Sequence, residues 1–309
     1  MSHDRRAPHP VPARHTAGDW ALLLALVAMW GSSFMFNRIA VASLPPWTVV
    51  AGRIGFAAVV LVVIVHALGK RLPAPGRAWL PFALIAVIGN AVPFFLITWG
   101  QQVVESALAG ILMAVMPLAT LVLAHFLVDG DRMTRHRVAG FAIGFAGVVL
   151  LLGPAALTGV GGDVLRIVSQ LAVLGGALCY ALQSVLTRLI IKGDVLVAAA
   201  ATMIVASIIV VPLALWLERP WRLAPESGSV AAVVWLGIGP TALATILYFM
   251  LIRSAGPTFM SLVNYLSPGV ALLLGLLVMG ETPRATAYFG LALILAGITV
   301  TRRRTAGQA

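Results

Sequence analysis

A single cysteine, Cys179, stands in the chain. It excludes an intramolecular disulfide framework and a multi-cysteine metal site, and one thiol in an apolar run reads as packing. Acidic residues are also few: Asp4, Asp19, Asp129, Asp131, Asp163, Asp194, Glu105, Glu218, Glu226 and Glu281, each at the end of an apolar run or between two. A proton-driven carrier needs a titratable relay at mid-membrane, and a cation channel a ring of carboxylates; the sequence offers neither. No Walker loop, HExxH or GxSxG pattern is present, so no catalytic residue, metal or cofactor is expected. Charged residues make up 10% of the chain and hydrophobic ones 61%. With a mean hydropathy of +1.01, no ordinary soluble fold could hide so much apolar surface.

What is there is a multi-spanning, all-α membrane protein. The net charge of +11 reads as topology rather than nucleic-acid binding, because the basic residues interrupt apolar runs and form no basic domain. Spans of about 20 apolar residues are expected at 19–38, 47–68, 78–98, 105–127, 137–153, 167–189, 195–217, 230–252, 258–279 and 285–301. These ten spans divide the chain into an N-terminal tail (1–18), a first five-helix unit (19–153), a connecting segment (154–166), a second five-helix unit (167–301) and a C-terminal tail (302–309).

The two units look like copies. The stretch 130–150 aligns without a gap to 280–300, pairing Gly140 with Gly290 and Ala146-Gly147 with Ala296-Gly297, an offset of 150. The same offset pairs Gly89 with Gly239, Trp30 with Tyr180 and Arg38 with Arg188; one residue of slippage pairs Pro117 with Pro268. Five spans is an odd number, so duplicated units must cross the membrane in opposite senses, the inverted repeat of a two-state carrier. Placing both termini in the cytoplasm puts 15 basic residues inside (Arg5, Arg6, Arg14, Lys70, Arg71, Arg77, Arg132, Arg135, Arg137, Arg188, Lys192, Arg253 and Arg302 to Arg304) and five outside (Arg38, Arg166, Arg219, Arg222 and Arg284). That bias fixes the expected orientation.

Polar and aromatic residues inside the spans are the candidate site. Trp30, Ser33, Phe34 and Asn37 share one helical face of MWGSSFMFNR, and the duplicate positions Tyr180, Gln183, Ser184 and Thr187 form a matching stripe. Such stripes can line a cavity or join helices by hydrogen bonds; Trp30 and Tyr180 favour the cavity, because an interfacial anchor would sit at a helix end. Asn90, Phe94 and Thr98 lead toward Trp99, and Thr241, Thr245 and Tyr248 order the corresponding helix of the second unit. Asn264 and Tyr265 precede Pro268, where two uses are open: contact with a substrate's polar end, or holding that helix against its neighbour. Pro93, Pro117, Pro240 and Pro268 interrupt helices and are candidate gating bends. Arg53 lies two turns inside its span, with Met203 at the duplicate position; pairing with Glu105, attraction of a substrate carboxylate or a structural network would each satisfy it.

Several of these stretches carry a family resemblance: WGSSFMFNRIA at 30–40, LPPWTVVAGR at 44–53, AGILMAVMPLATLVLAHFLVDGD at 109–131 and LVNYLSPGVALLLGLLVMGE at 262–281. The chain resembles the drug/metabolite transporter superfamily, EamA-type exporters in particular, and within it the bacterial aromatic amino acid exporter branch. The resemblance implies a ten-helix alternating-access carrier in a bacterial inner membrane, with a central cavity near Trp30, Asn90, Phe94, Tyr180, Gln183, Tyr248, Asn264 and Tyr265. Where the family has a helix-ending Gly-Glu in both halves, the first half here reads Asp129-Gly130-Asp131, which suggests capping or terminal pairing for these acids. The expected activity is export of amino acids, aromatic ones included, and of related small amphipathic metabolites, by a monomer whose other partner is membrane lipid. A multidrug or other metabolite carrier of the same superfamily is the alternative within the class, and a non-transporting membrane scaffold the alternative outside it.

Overall fold

The computed structural model describes residues 15–128, 133–152 and 164–301. Arg5, Arg6, Arg14, Asp129 to Arg132, the connecting segment up to Asp163 and Arg302 to Arg304 lie outside the described residues.

Ten helical segments order the described chain: α1 Ala17–Ala40, α2 Pro46–Ala67, α3 Arg77–Gly100, α4 Ser106–Leu127, α5 Arg135–Leu152, α6 Val164–Ile190, α7 Val195–Leu217, α8 Ser227–Gly256, α9 Val263–Leu277 and α10 Ala285–Thr301. Eight of them are long and apolar enough to cross a membrane; α9, of 15 residues, is shorter than the expected 258–279, and α10 fills the expected 285–301 with 17 residues. For α9 the cause is local. The helical run of α8 continues to Met260 across a kink at Gly256, whose φ of 83° only glycine adopts readily, and a turn at Ser261 and Leu262 delays the start of α9.

Starts follow from local chemistry. Thr16 and Asp19 form a reciprocal capping box on α1, and Asp194 accepts from the N–H groups of Leu196 and Val197 at the start of α7. Pro46 enters α2 in its first turn, where no N–H is needed. Breaks follow from proline as well. Pro117 cannot donate to the carbonyl of Met113, and α4 is interrupted between these two residues, at Ala114 and Val115.

Counterpart helices run in opposite directions. Glu218, at the end of α7, meets Trp47 and Thr48 at the start of α2, and Glu281, past the end of α9, meets Ser106 at the start of α4. In α5 and α10 the backbones approach closely at Gly140 with Gly297 and at Gly147 with Gly290, an antiparallel crossing; a Cβ on Gly140 would lie 2.4 Å from the Gly297 carbonyl. The internal symmetry is therefore consistent with an inverted repeat. Large apolar side chains such as Val59, Phe126 and Leu277 face outward on the bundle, as lipid contact requires.

Candidate functional site

The duplication reaches a local distortion that hydropathy does not reveal. Val87–Ala91 in α3 and Gly237–Leu243 in α8 are π-helical, and their first residues are 150 positions apart. Each widened turn accompanies a proline. Pro93 leaves the Gly89 carbonyl without its i+4 donor, and Pro240 does the same to the Leu236 carbonyl. In α8 the hydroxyl of Thr241 takes up that freed carbonyl, donating to Leu236 O at 2.7 Å.

Two expected site residues converge on this turn. The Trp30 indole Nε1–H of α1 donates to the Pro240 carbonyl at 3.1 Å, and its ring lies 5.9 Å from that of Tyr248. The Arg53 Nε–H of α2 donates to Thr241 Oγ1 at 2.9 Å. Because that hydroxyl gives its own proton to Leu236, it faces Arg53 as an acceptor. The guanidinium carbon lies 3.9 Å from the centroid of the Phe94 ring, a cation–π contact, and Phe94 packs edge-on against Tyr180 at 6.2 Å. Asn90, one turn before Phe94, is buried with no hydrogen-bond partner for Nδ2, and Gln183 packs against the bare backbone of Gly89. So α1, α2, α3, α6 and α8 bring Trp30, Arg53, Asn90, Phe94, Tyr180, Gln183 and Tyr248 around the two distorted turns.

Other candidates lie elsewhere. Asn37 is held in a buried network: its Nδ2 donates to Gln101 Oε1 at 2.9 Å, its Oδ1 accepts from the Thr98 hydroxyl at 3.1 Å, and Gln101 Nε2 donates to the Phe34 carbonyl at 2.9 Å. Arg38 donates to the Gln101 carbonyl. Ser33 donates to the carbonyl of Trp30 within its own helix. Trp99 is half-buried near this end, which we call the Gln101 end. Asn264 is half-buried on α9, where Tyr265 packs on the apolar cluster of α4, α5 and α10 and Pro268 lies buried inside the helix. Glu105 occupies the N-cap position of α4, and no ion pair joins it to Arg53 among the described residues. A recess of about 430 Å³ opens at the Gln101 end, lined by Arg38, Gln102, Glu226 and Met279 among others, away from the π turns.

Acidic residues act as caps across the two groups of helices. The Glu281 carboxylate accepts from Ser106 N–H at 2.7 Å, Ser106 Oγ–H at 2.8 Å and Ala107 N–H at 2.8 Å. Glu218 accepts from the N–H groups of Trp47 at 2.9 Å and Thr48 at 2.6 Å. At the opposite end of the α2–α7 pair, Lys70 bonds Asp194 at 2.5 Å, and this contact, more than the backbone bonds of the cap, holds the Asp194 carboxyl below its ordinary pKa. Thr241 was read from the sequence only as part of the polar stripe of its helix, without its partners Leu236 and Arg53, and Gln101 and Glu218 were not singled out as site or network residues by sequence pattern.

The model of the EamA-like transporter family matches residues 18–153 and, a second time, residues 168–303. The chain belongs to the EamA-like transporter family. The paired match reproduces the 150-residue offset read from the glycines, and it makes the chain a member of a family of transporters, not of enzymes. Among the similar proteins, one from Streptantibioticus cattleyicolor bears the name "Probable terminal-alkyne amino-acid exporter"; it is 28% identical over 94% of both chains. The "Uncharacterized inner membrane transporter YedA" of Escherichia coli K12 is 29% identical over 90% of this chain and 88% of its own. A solved crystal structure, 20% identical, superposes with a TM-score of 0.65 over 93% of this chain and 98% of the other, which shows a shared fold.

Proposed function

We propose that the chain is an alternating-access carrier of small amphipathic metabolites in a bacterial inner membrane. In this reading α9 and α10 complete two five-helix units, 19–153 and 167–301, of opposite topology, with both termini cytoplasmic and a monomer as the working form. The observation that carries it is the pair of π turns at equivalent positions of α3 and α8, surrounded inside the bundle by Trp30, Asn90, Phe94, Tyr180 and Tyr248. Widened turns are frequent at functional sites, because they free backbone groups and bend the helix there. Aromatic rings would take the apolar body of the substrate, and amide groups its polar ends. Rocking of the two units would expose the turns to one side at a time, with Pro93, Pro117, Pro240 and Pro268 at the bends.

Amino acids, aromatic ones included, are the favoured substrates within this class, supported by the name of the Streptantibioticus relative and by the mixture of rings and amides. Purified protein in sealed liposomes should catalyse counterflow of at least one member of a panel of amino acids, nucleosides and cationic drugs. Trp30→Ala should slow it about tenfold, the effect of losing about 1.4 kcal/mol of substrate binding. The carrier reading fails if the intact protein moves nothing in the panel.

A further inference from the structure

We infer that Arg53 is the recognition point for a single carboxylate on the transported molecule. The inference rests on the carrier reading and names the chemistry its substrate must have.

A guanidinium offers five N–H donors in a planar fork. Arg53 uses one of them, Nε, on the Thr241 hydroxyl, and its face is covered by the Phe94 ring. Among the described residues its Nη groups meet no acceptor and no carboxylate pairs with it. A cation left in this condition inside a membrane bundle is costly, and its cost falls sharply when an anion arrives. Both contacts leave the outer edge of the fork open. The ring covers a face, and the Thr241 bond holds the Nε side, so the two Nη groups remain for a two-oxygen acceptor.

A second donor without a partner lies one turn along α3 from the ring that covers Arg53. Asn90, 4% exposed and one helical turn from Phe94 on the same face of α3, has an Nδ2 with no acceptor. The guanidinium supplies donors only, the complement of a carboxylate, and the Asn90 amide adds one unspent donor. Charge counting decides between carboxylate and phosphate ester. Arg166, Arg188 and Arg253 all lie within about one turn of the ends of α6 and α8, so among the described residues Arg53 alone supplies positive charge at the level of the π turns. One cation balances one carboxylate and leaves a doubly charged phosphate half-neutralised. The rings of Phe94 and Tyr180 beside the fork suit a carboxylate carried on an apolar body.

The test is ligand-induced thermal stabilisation of the purified protein in detergent, a readout of binding without translocation. The probes are phenylalanine, leucine and 3-phenylpropionate, the matched amide of each, and phenyl phosphate. At least one carboxylate should half-saturate at about a tenfold lower concentration than its amide. In Arg53→Gln the two should come within about twofold of each other, and in Arg53→Lys, which keeps the charge but not the fork, the preference should be intermediate. Arg53→Lys also stands as the folded comparison if Arg53→Gln does not fold, because losing the fork at retained charge should still narrow the preference. Binding of amides as tight as that of acids, tighter binding of phenyl phosphate, no binding by any probe, an undiminished preference in Arg53→Lys, or a preference that survives Arg53→Gln would each overturn the assignment. Counterflow of the same probes separates the two claims. Carboxylate-selective binding without movement would sink the carrier reading alone, and movement of amides but not acids would sink the carboxylate subsite alone.

Discussion

Replacing Glu281 is expected to loosen the Gln101 end of the bundle. Its carboxylate accepts three hydrogen bonds, at 2.7, 2.8 and 2.8 Å, from the first turn of α4, and Gly275 is bare where Glu281 passes: a Cβ there would lie 2.4 Å from Oε2. Hydrogen bonds to a charged group are worth about 1.5–3 kcal/mol each, and a carboxylate at a helix N-terminus gains about 0.3–1 kcal/mol more. Water reaches this end once the side chain is gone, so the bonds do not sum. We expect a loss of about 3 kcal/mol for Glu281→Ala and about 1–2 kcal/mol for Glu281→Gln, which keeps one acceptor oxygen. Because the contact joins α9 to α4, across the two sequence repeats, its loss favours separation at this end, and about 1.4 kcal/mol moves the closed-to-open ratio about tenfold. The assay replaces Cys179 with alanine and places a reporter by Val104→Cys, a position 2% exposed and two residues from the clasp. Labelling by a membrane-impermeant maleimide should run about tenfold faster in the Glu281→Gln background. Rates equal within about twofold would show that the clasp does not hold this end shut.

Two other contacts give sharp tests. Asn37 and Gln101 belong to one buried network, so Asn37→Leu and Gln101→Leu should each cost about 1–3 kcal/mol of stability, while the double variant costs less than the sum; additive losses in thermal unfolding would deny the coupling. The Asp194 carboxyl is held below its ordinary pKa by Lys70, so its stabilising effect is complete above the ordinary carboxylate range and fades as pH falls through the lowered value. Asp194→Asn should therefore lower the melting temperature slightly at pH 7 and leave a smaller further fall below about pH 4 than in the intact protein. Parallel melting curves of the two proteins down to pH 2 would contradict this.

Hydropathy and the repeat made most of the architecture legible, because bilayer thickness sets helix length and a gene-level copy leaves a constant offset. The break in α4 was also readable, since Pro117 removes a defined hydrogen bond. The shortened α9 was not: its start depends on how Gly256 bends the preceding helix, a backbone choice that composition leaves open. Periodicity placed Trp30 and Asn37 on one face, and both do point inward. It could not say what stands opposite. Trp30 meets the freed Pro240 carbonyl, whereas Asn37 meets Gln101 and Thr98, which occupy its amide. The acidic residues show the same limit. Their position at helix ends suggested capping, and Glu281 does cap, but its partner lies on α4, 175 residues away in sequence.

The two π turns show why a symmetric backbone need not give a symmetric site. Proline interrupts α3 at Pro93 and α8 at Pro240, three residues out of register in the repeat, so different carbonyls are freed in the two copies. In α8 the proline lies inside the widened turn. Its own carbonyl takes the indole of Trp30, and the carbonyl it orphans is taken by Thr241, whose oxygen is then left to accept from Arg53. In α3 the proline follows the turn, and Asn90 is left with a donor unspent. Arg53 has Met203 at its duplicate position, so charge too stands on one side only. In the proposed carrier, a repeat that preserves the bends but not their side chains would keep two interchangeable conformations and build a single oriented binding position between them. A substrate with one anionic end and one apolar body has the matching asymmetry.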